Sequence, residues 1–166
     1  MHNNLFNKRL TKVLTIGAVA IAGLAPAAIA EGGAKRPQVN FSGTGTYEMV
    51  EFDVFARGIG DGSGVPFDGT ATFMLRADDG TLPGPGECEG GGANFAVTGR
   101  KRKELWGVSI GEICGEHVQE PTSTVTHVFT GEYSIVESTK RLRDTEGWIE
   151  IRLATDNRMS ITLFDS

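Results

Sequence analysis

The sequence predicts an all-β protein, an antiparallel barrel of about eight strands, with a β-sandwich as the alternative. Apolar and polar residues alternate with a period of two in several segments, as in strands with one buried face. Glycine is abundant, with 23 among 166 residues, and it stands between these segments as turn residues do. Helical periodicity is nearly absent after residue 30, so successive strands should pair antiparallel. Because an open sheet of about seven to nine strands leaves unpaired edges, this sheet should close or split.

The first thirty residues have the features of an export signal. Lys8, Arg9 and Lys12 form a basic start, and a short apolar stretch follows at residues 13–24. Ala28 and Ala30 bracket a small-x-small cleavage site. We therefore expect cleavage near Ala30 and a secreted or periplasmic mature protein.

The mature chain should form one domain. Residues 31–37 are polar and predict a flexible N-terminus, while residues 38–166 predict a single barrel domain. No second apolar run is long enough to span a bilayer, so we expect no membrane insertion.

The first half of the domain predicts strands separated by glycine-rich connections. Residues 39–56 are β-like but change parity between Met49 and Val50, which predicts a bulge. Four alternating glycines at residues 58–64 predict a flexible connection, because no strand-to-helix context supports a phosphate cradle. Residues 67–77 alternate as a strand, and residues 78–92, rich in proline and glycine, predict a loop.

The second half predicts two hairpins and one long or divided strand. Residues 93–98 should pair with residues 105–114 across a basic tip at residues 100–103. Residues 122–135 alternate throughout, and Gly131 within them predicts a bulge or sharp bend. Residues 147–154 and 159–164 alternate around a turn and predict a C-terminal hairpin.

Charge and cysteine content limit the function classes. The chain carries 16 basic and 21 acidic residues, and loss of residues 1–30 would remove three basic ones, leaving 13 against 21 and a net charge of −8. This acidic balance argues against nucleic-acid binding. Cys88 and Cys114 are the two cysteines, and in an exported protein they predict one disulfide. No metal or cofactor is predicted, because the histidine and aspartate spacings match no zinc or calcium site.

The segment from Phe129 to Gly147 resembles a stretch of the allene oxide cyclase and dirigent-like barrels. In that pattern a G-x-Y/F-x-I strand runs into a glycine-rich turn, a basic residue and an aromatic or aliphatic one, and an A/T-x-G segment precedes the next strand. The positions that match are Gly131, Tyr133, Ile135, Thr139, Lys140 or Arg141, Leu142, Thr145 and Gly147. Glu137 and Ser138 stand where the family has paired glycines, so the turn departs from the pattern. The resemblance implies an eight-stranded barrel whose lumen can hold a small hydrophobic molecule, and it transfers no catalytic residue.

Five inward-facing residues are candidates for a lumen site. His127 shares the apolar parity of its strand and could bind a ligand or exchange a proton; the alternative is a buried neutral histidine satisfied by a hydroxyl or backbone group. Tyr133 could orient a ligand or plug a barrel end. Phe73, Phe95 and Phe129 would line the apolar wall.

Three functions remain open from the sequence. The first is a binding or structural barrel whose lumen holds a small apolar ligand or is filled by side chains. The second is a cyclase or isomerase, with His127 and Tyr133 as the residues to substitute first. The third is a cell-envelope interaction module that uses an exterior face with Trp106, Trp148 and Phe164. The oligomeric state is not predicted, and the basic tip is either a solvated turn or a contact for an anionic partner.

Overall fold

Eight antiparallel strands form a closed barrel in which each strand pairs with its neighbours in sequence and β1 pairs with β8. The computed structural model describes residues 38–50, 55–119, 124–139 and 141–166. The predicted export signal and the predicted flexible segment at residues 31–37 lie outside these ranges. The strands are β1 Asn40–Val50, β2 Phe55–Val65, β3 Gly69–Ala77, β4 Cys88–Gly99, β5 Lys103–Gly115, β6 Val125–Ser138, β7 Glu146–Ala154 and β8 Arg158–Asp165.

The predicted all-β antiparallel barrel is therefore confirmed, and closure excludes the sandwich. Strand β1 closes the barrel by pairing Phe41 with Leu163 and Gly43 with Ile161 of β8. Closure leaves neither strand as an open edge, which removes a template for aggregation. The C-terminal hairpin of β7 and β8 is also as predicted, with Ile149 opposite Leu163.

Alternation along the strands places one set of side chains inside the barrel. On β7, Ile149, Ile151 and Leu153 are buried, while Trp148 and Arg152 face outward. The same pattern on all eight strands produces one apolar core, which is the expected consequence of a period-two pattern on a closed sheet.

The glycine-rich segment at residues 58–64 is a strand and not the connection that its composition predicted. It lies within β2, where Gly60 pairs with Gly45 of β1 and with Ala71 of β3. The backbones approach so closely that a Cβ on Gly60 would lie 2.4 Å from the Thr44 carbonyl oxygen. Glycine is used here for close packing inside the sheet.

Three other sequence predictions are corrected. The parity change after Met49 marks a hairpin, because β1 ends at Val50, which pairs with Phe55 of β2. The strand register runs unbroken through Gly131, which pairs with Gly111 and Ile149, so the bulge, one of the two alternatives predicted there, is absent. Strand β6 instead has irregular pairing opposite Trp106 and Gly107, and again between Val125 and His127.

The loop predicted at residues 78–92 is shorter, because β4 begins at Cys88.

Candidate functional site on the outer face of the barrel

Four of the five predicted lumen residues lie in the closed core. The exposed fractions of Phe73, Phe95, Phe129 and Tyr133 are 3%, 1%, 0% and 2%. The rings of Phe95 and Tyr133 meet edge to face, with centroids 5.5 Å apart. Such a contact stabilises a fixed aromatic arrangement.

Glycines opposite these rings provide the space that the rings occupy. Gly58 pairs with Phe73 across β2 and β3, and a Cβ on Gly58 would lie 2.3 Å from the Phe73 ring. Gly107 pairs with Phe95, and there the corresponding distance is 2.4 Å. An eight-stranded barrel is just wide enough to be filled by side chains. The rings therefore fill the space inside the sheet at these positions.

Tyr133 is a structural hydrogen-bond donor. Its hydroxyl donates to the carbonyl oxygen of Phe164 at 3.1 Å. Burial, with a further contribution from the negative charge of Asp165, raises the pKa of Tyr133 to about 12. The phenol is therefore neutral at ordinary pH and already engaged with the backbone of β8.

His127 attaches the loop after β3 to strand β6. The ring is half-buried, and its Nε2–H donates to the carbonyl oxygen of Pro83 at 3.1 Å. Its Nδ1 lies 3.1 Å from the Thr126 hydroxyl. Burial lowers the pKa of His127, although the hydrogen bond to Pro83 opposes this effect. An imidazole that donates to a backbone carbonyl, beside a hydroxyl that itself donates to the Leu153 carbonyl oxygen at 3.2 Å, matches the structural alternative that the sequence left open.

The two candidate catalytic side chains are not brought together. His127 and Tyr133 are six residues apart on the same strand, which separates them by about 20 Å. The His127 ring donates to the carbonyl oxygen of Pro83, and the Tyr133 hydroxyl donates to the carbonyl oxygen of Phe164. The arrangement gives no shared position for a reacting atom between them.

The predicted disulfide between Cys88 and Cys114 is present, with an S–S distance of 2.06 Å. The two residues lie directly opposite each other on β4 and β5. The Glu112 carboxylate is within 4.8 Å of both sulfur atoms, but a disulfide offers no thiolate to a metal ion. The disulfide is compatible with an extracellular location.

A groove crosses the outer face of strands β1 to β5. One row of directly paired outward residues runs across it and consists of Thr46, Ile59, Thr72, Ala96 and Trp106. Because Thr72 and Ala96 are small, a depression forms between Ile59 and Trp106. The open cavity there has a volume of about 590 Å³, within the range of small-molecule sites.

The next row of outward residues gives this groove its polar edge. Arg57 and Glu48 are paired across β1 and β2 and form an ion pair, with the Arg57 Nε at 3.0 Å from Glu48 Oε1. Met74 and Asn94 continue the row on β3 and β4. The groove therefore combines exposed apolar surface with an amide, hydroxyls and a neutralised ion pair.

A second depression, of about 720 Å³, lies on the outer face of strands β5 to β8. Ile110, Glu132, Trp148 and Phe164 form a single cross-strand row there. Glu112 and Glu146 flank this row two residues away on β5 and β7. We call this surface, defined by these six residues, the acidic face.

The exterior aromatic residues predicted from the sequence divide between these two surfaces. Trp106 lies in the groove, whereas Trp148 and Phe164 belong to the acidic face.

Sequence reasoning missed Ile59 because its glycine-rich segment was interpreted as a connection. The available signal was the apolar residue alternating with the glycines, since Ile59 faces outward while Gly58 and Gly60 face inward.

Among the described residues no helix is both long and apolar enough to cross a bilayer.

Comparison with known proteins gives no family assignment. No protein-family model matches the chain, and neither the curated proteins nor the solved structures include a significant match. The resemblance of residues 129–147 to the allene oxide cyclase and dirigent-like barrels stays a prediction.

Proposed function

We propose that the protein is a non-enzymatic binding module of the cell exterior that recognises its target through the outer face of the barrel. The observation that carries this proposal is the open groove between Ile59 and Trp106, which has the size of a ligand site. The interior, by contrast, holds tightly buried aromatic rings. The groove is the contact surface in this proposal.

The exposure of the groove side chains supports a binding role. Ile59, Met74 and Trp106 are 55%, 43% and 42% exposed, and all three line the groove, on β2, β3 and β5. A contiguous exposed apolar patch is typical of interaction sites, and tryptophan is enriched among residues that dominate binding energy. A partner that covers these side chains would remove apolar surface from water.

The mixture of groups in the groove indicates the chemistry of the target. Trp106 and Ile59 offer apolar surfaces, while Asn94 and the threonines offer hydrogen bonds beside them. A pyranose ring has a similar division, since its faces carry C–H groups and its rim carries hydroxyls. A polysaccharide of the cell envelope is therefore the target class that we propose. The predicted export signal and the disulfide support an external location.

The lumen-ligand and cyclase hypotheses stay predictions with less structural support. A hydrophobic ligand in the lumen would have to displace rings such as Phe73 and Phe95, which are already buried. A cyclase would need Tyr133 or His127 to reach a substrate, although each now donates to a backbone carbonyl.

Tryptophan fluorescence tests the proposed site. The chain has two tryptophans, so Trp148→Phe leaves Trp106 as the sole reporter. Titration with a short β-linked oligosaccharide such as chitohexaose should change its emission. Trp106→Ala should weaken binding of the same probe, measured by calorimetry, by about tenfold or more, because it removes the principal apolar contact.

The matched control is Trp148→Ala, which removes a similarly exposed tryptophan from the other depression. It should leave saccharide affinity unchanged. Equal affinity in the wild type and Trp106→Ala would refute the groove as the site. Binding of farnesol that is lost in Phe73→Ala and kept in Trp106→Ala would instead favour the lumen.

A further inference from the structure

We propose that the acidic face binds the basic tip of a second copy of this chain, so that the protein associates head to tail. From here the name basic tip is kept for Arg100, Lys101 and Arg102, which form the turn between β4 and β5, since Lys103 is the first residue of β5. This contact is independent of the groove and goes beyond the proposed function.

The acidic face is apolar in its row and negatively charged around it. Ile110, Trp148 and Phe164 are 82%, 48% and 42% exposed. Glu112, Glu132 and Glu146 are exposed as well, and none of them forms an ion pair with any residue that the structure describes. A partner for this surface should therefore be cationic and should carry aliphatic carbon near its charge.

The basic tip has that chemistry. Its three side chains are exposed, and no ion pair to them occurs within the described ranges. Arginine can pair with a carboxylate through two hydrogen bonds and can also lie on a tryptophan ring. The aliphatic stems of Arg and Lys can cover Ile110, while their charged groups reach the flanking glutamates.

The two surfaces of one molecule cannot meet. Ile110 lies eight residues from Arg102 along β5, which places it about 26 Å from the tip. The contact must therefore join two copies. Because the tip and the face are different surfaces, each docked pair keeps one free tip on one copy and one free face on the other, and association can continue into open chains.

The turn itself does not require basic residues. Lys101 and Arg102 have φ angles of 60° and 56°, a left-handed conformation in which asparagine and glycine are favoured at hairpin turns. Substitution by Asn and Gly should therefore preserve the hairpin while removing the charge.

Sedimentation velocity with complementary variants tests this contact. The wild-type protein should show a mass that rises with concentration at about 0.05 M salt and falls towards the monomer at about 0.5 M salt. The face variant is Glu112→Gln, Glu132→Gln, Glu146→Gln, and the tip variant is Arg100→Ser, Lys101→Asn, Arg102→Gly. Each variant alone should associate at least about tenfold more weakly than the wild type.

An equimolar mixture gives the decisive result. The face variant keeps its tip and the tip variant keeps its face, so the mixture should form a heterodimer that cannot extend. A control for the face variant, with the same loss of three negative charges elsewhere, consists of Asp61→Asn, Asp78→Asn and Glu116→Gln, and it should associate as the wild type does. A monomeric wild type, unimpaired association of either variant, or a mixture without heterodimer would each overturn the proposal. Circular dichroism of each variant verifies that the barrel is folded.

Discussion

His127 shows how one side chain can connect an irregular segment to the barrel. Its Nε2–H donates to Pro83, which lies 44 residues earlier in the chain, and Pro83 is itself buried. The parity of β6 was enough to place His127 on the apolar face. The partner could not be predicted, because no sequence pattern specifies which loop carbonyl folds over the end of a barrel.

Protonation of His127 should destabilise the protein in a limited pH range. Burial holds its folded-state pKa below the ordinary 6.5, so the unfolded chain takes up this proton first as the pH falls. The contribution of His127 to the free energy of unfolding should therefore be constant above about pH 6.5 and should decrease below it, until the folded-state pKa is reached. Urea unfolding between about pH 8 and pH 5 would measure this decrease.

The His127→Gln variant is compared with the wild type to test this pH dependence of the free energy of unfolding, because an amide can still donate to Pro83 but does not titrate in this range. The variant should lose the part of the pH dependence that begins near pH 6.5. Identical pH profiles for His127→Gln and the wild type would contradict this account.

Strand β2 shows why an element can be misjudged from composition. Its glycines weaken every local strand signal, yet Gly58 faces Phe73 and Gly60 meets the backbone of Thr44. The information that makes this segment a strand lies in its neighbours β1 and β3, and local propensity does not include it. Strands with full alternation, such as β7, needed no such information and were predicted correctly.

Gly58→Ala should therefore destabilise the barrel by about 1–3 kcal/mol, since the added methyl group would overlap the Phe73 ring. Gly84→Ala is the control, because its nearest neighbour is the flexible Glu87 carboxylate at 3.1 Å, and its cost should stay within about 0.5 kcal/mol. Chemical denaturation measures both variants.

A double-mutant cycle with Phe73→Leu identifies the cause. A smaller side chain at residue 73 frees the space that the methyl group of Gly58→Ala needs. Gly58→Ala should therefore lower the free energy of unfolding less than half as much in the Phe73→Leu background as in the wild type. If the two costs add without coupling, the Phe73 ring is not the source of the strain.

At the scale of the whole molecule, closure and register set the surfaces. The fold class and the meander order follow from alternation and the absence of helices, and both were predicted. The sequence did not predict which outward residues meet, because a cross-strand row such as Ile110, Glu132 and Trp148 combines residues from separate strands. If two strands paired one residue out of register, different side chains would lie next to each other and these rows would not form. The groove and the acidic face therefore depend on the register of the closed sheet.

The disulfide should stabilise the whole barrel mainly by restricting the unfolded chain. It joins residues 26 positions apart, for which the loop-entropy relation gives about 3.5 kcal/mol. The Cys88→Ala, Cys114→Ala variant should thus unfold at a lower denaturant concentration. Its m-value should rise, because an unfolded chain without the cross-link exposes more surface. Wild-type protein unfolded in the presence of a thiol reductant should match the variant in both quantities. A reductant that changes neither the midpoint nor the m-value of the wild type would show that the cross-link does not constrain the unfolded state.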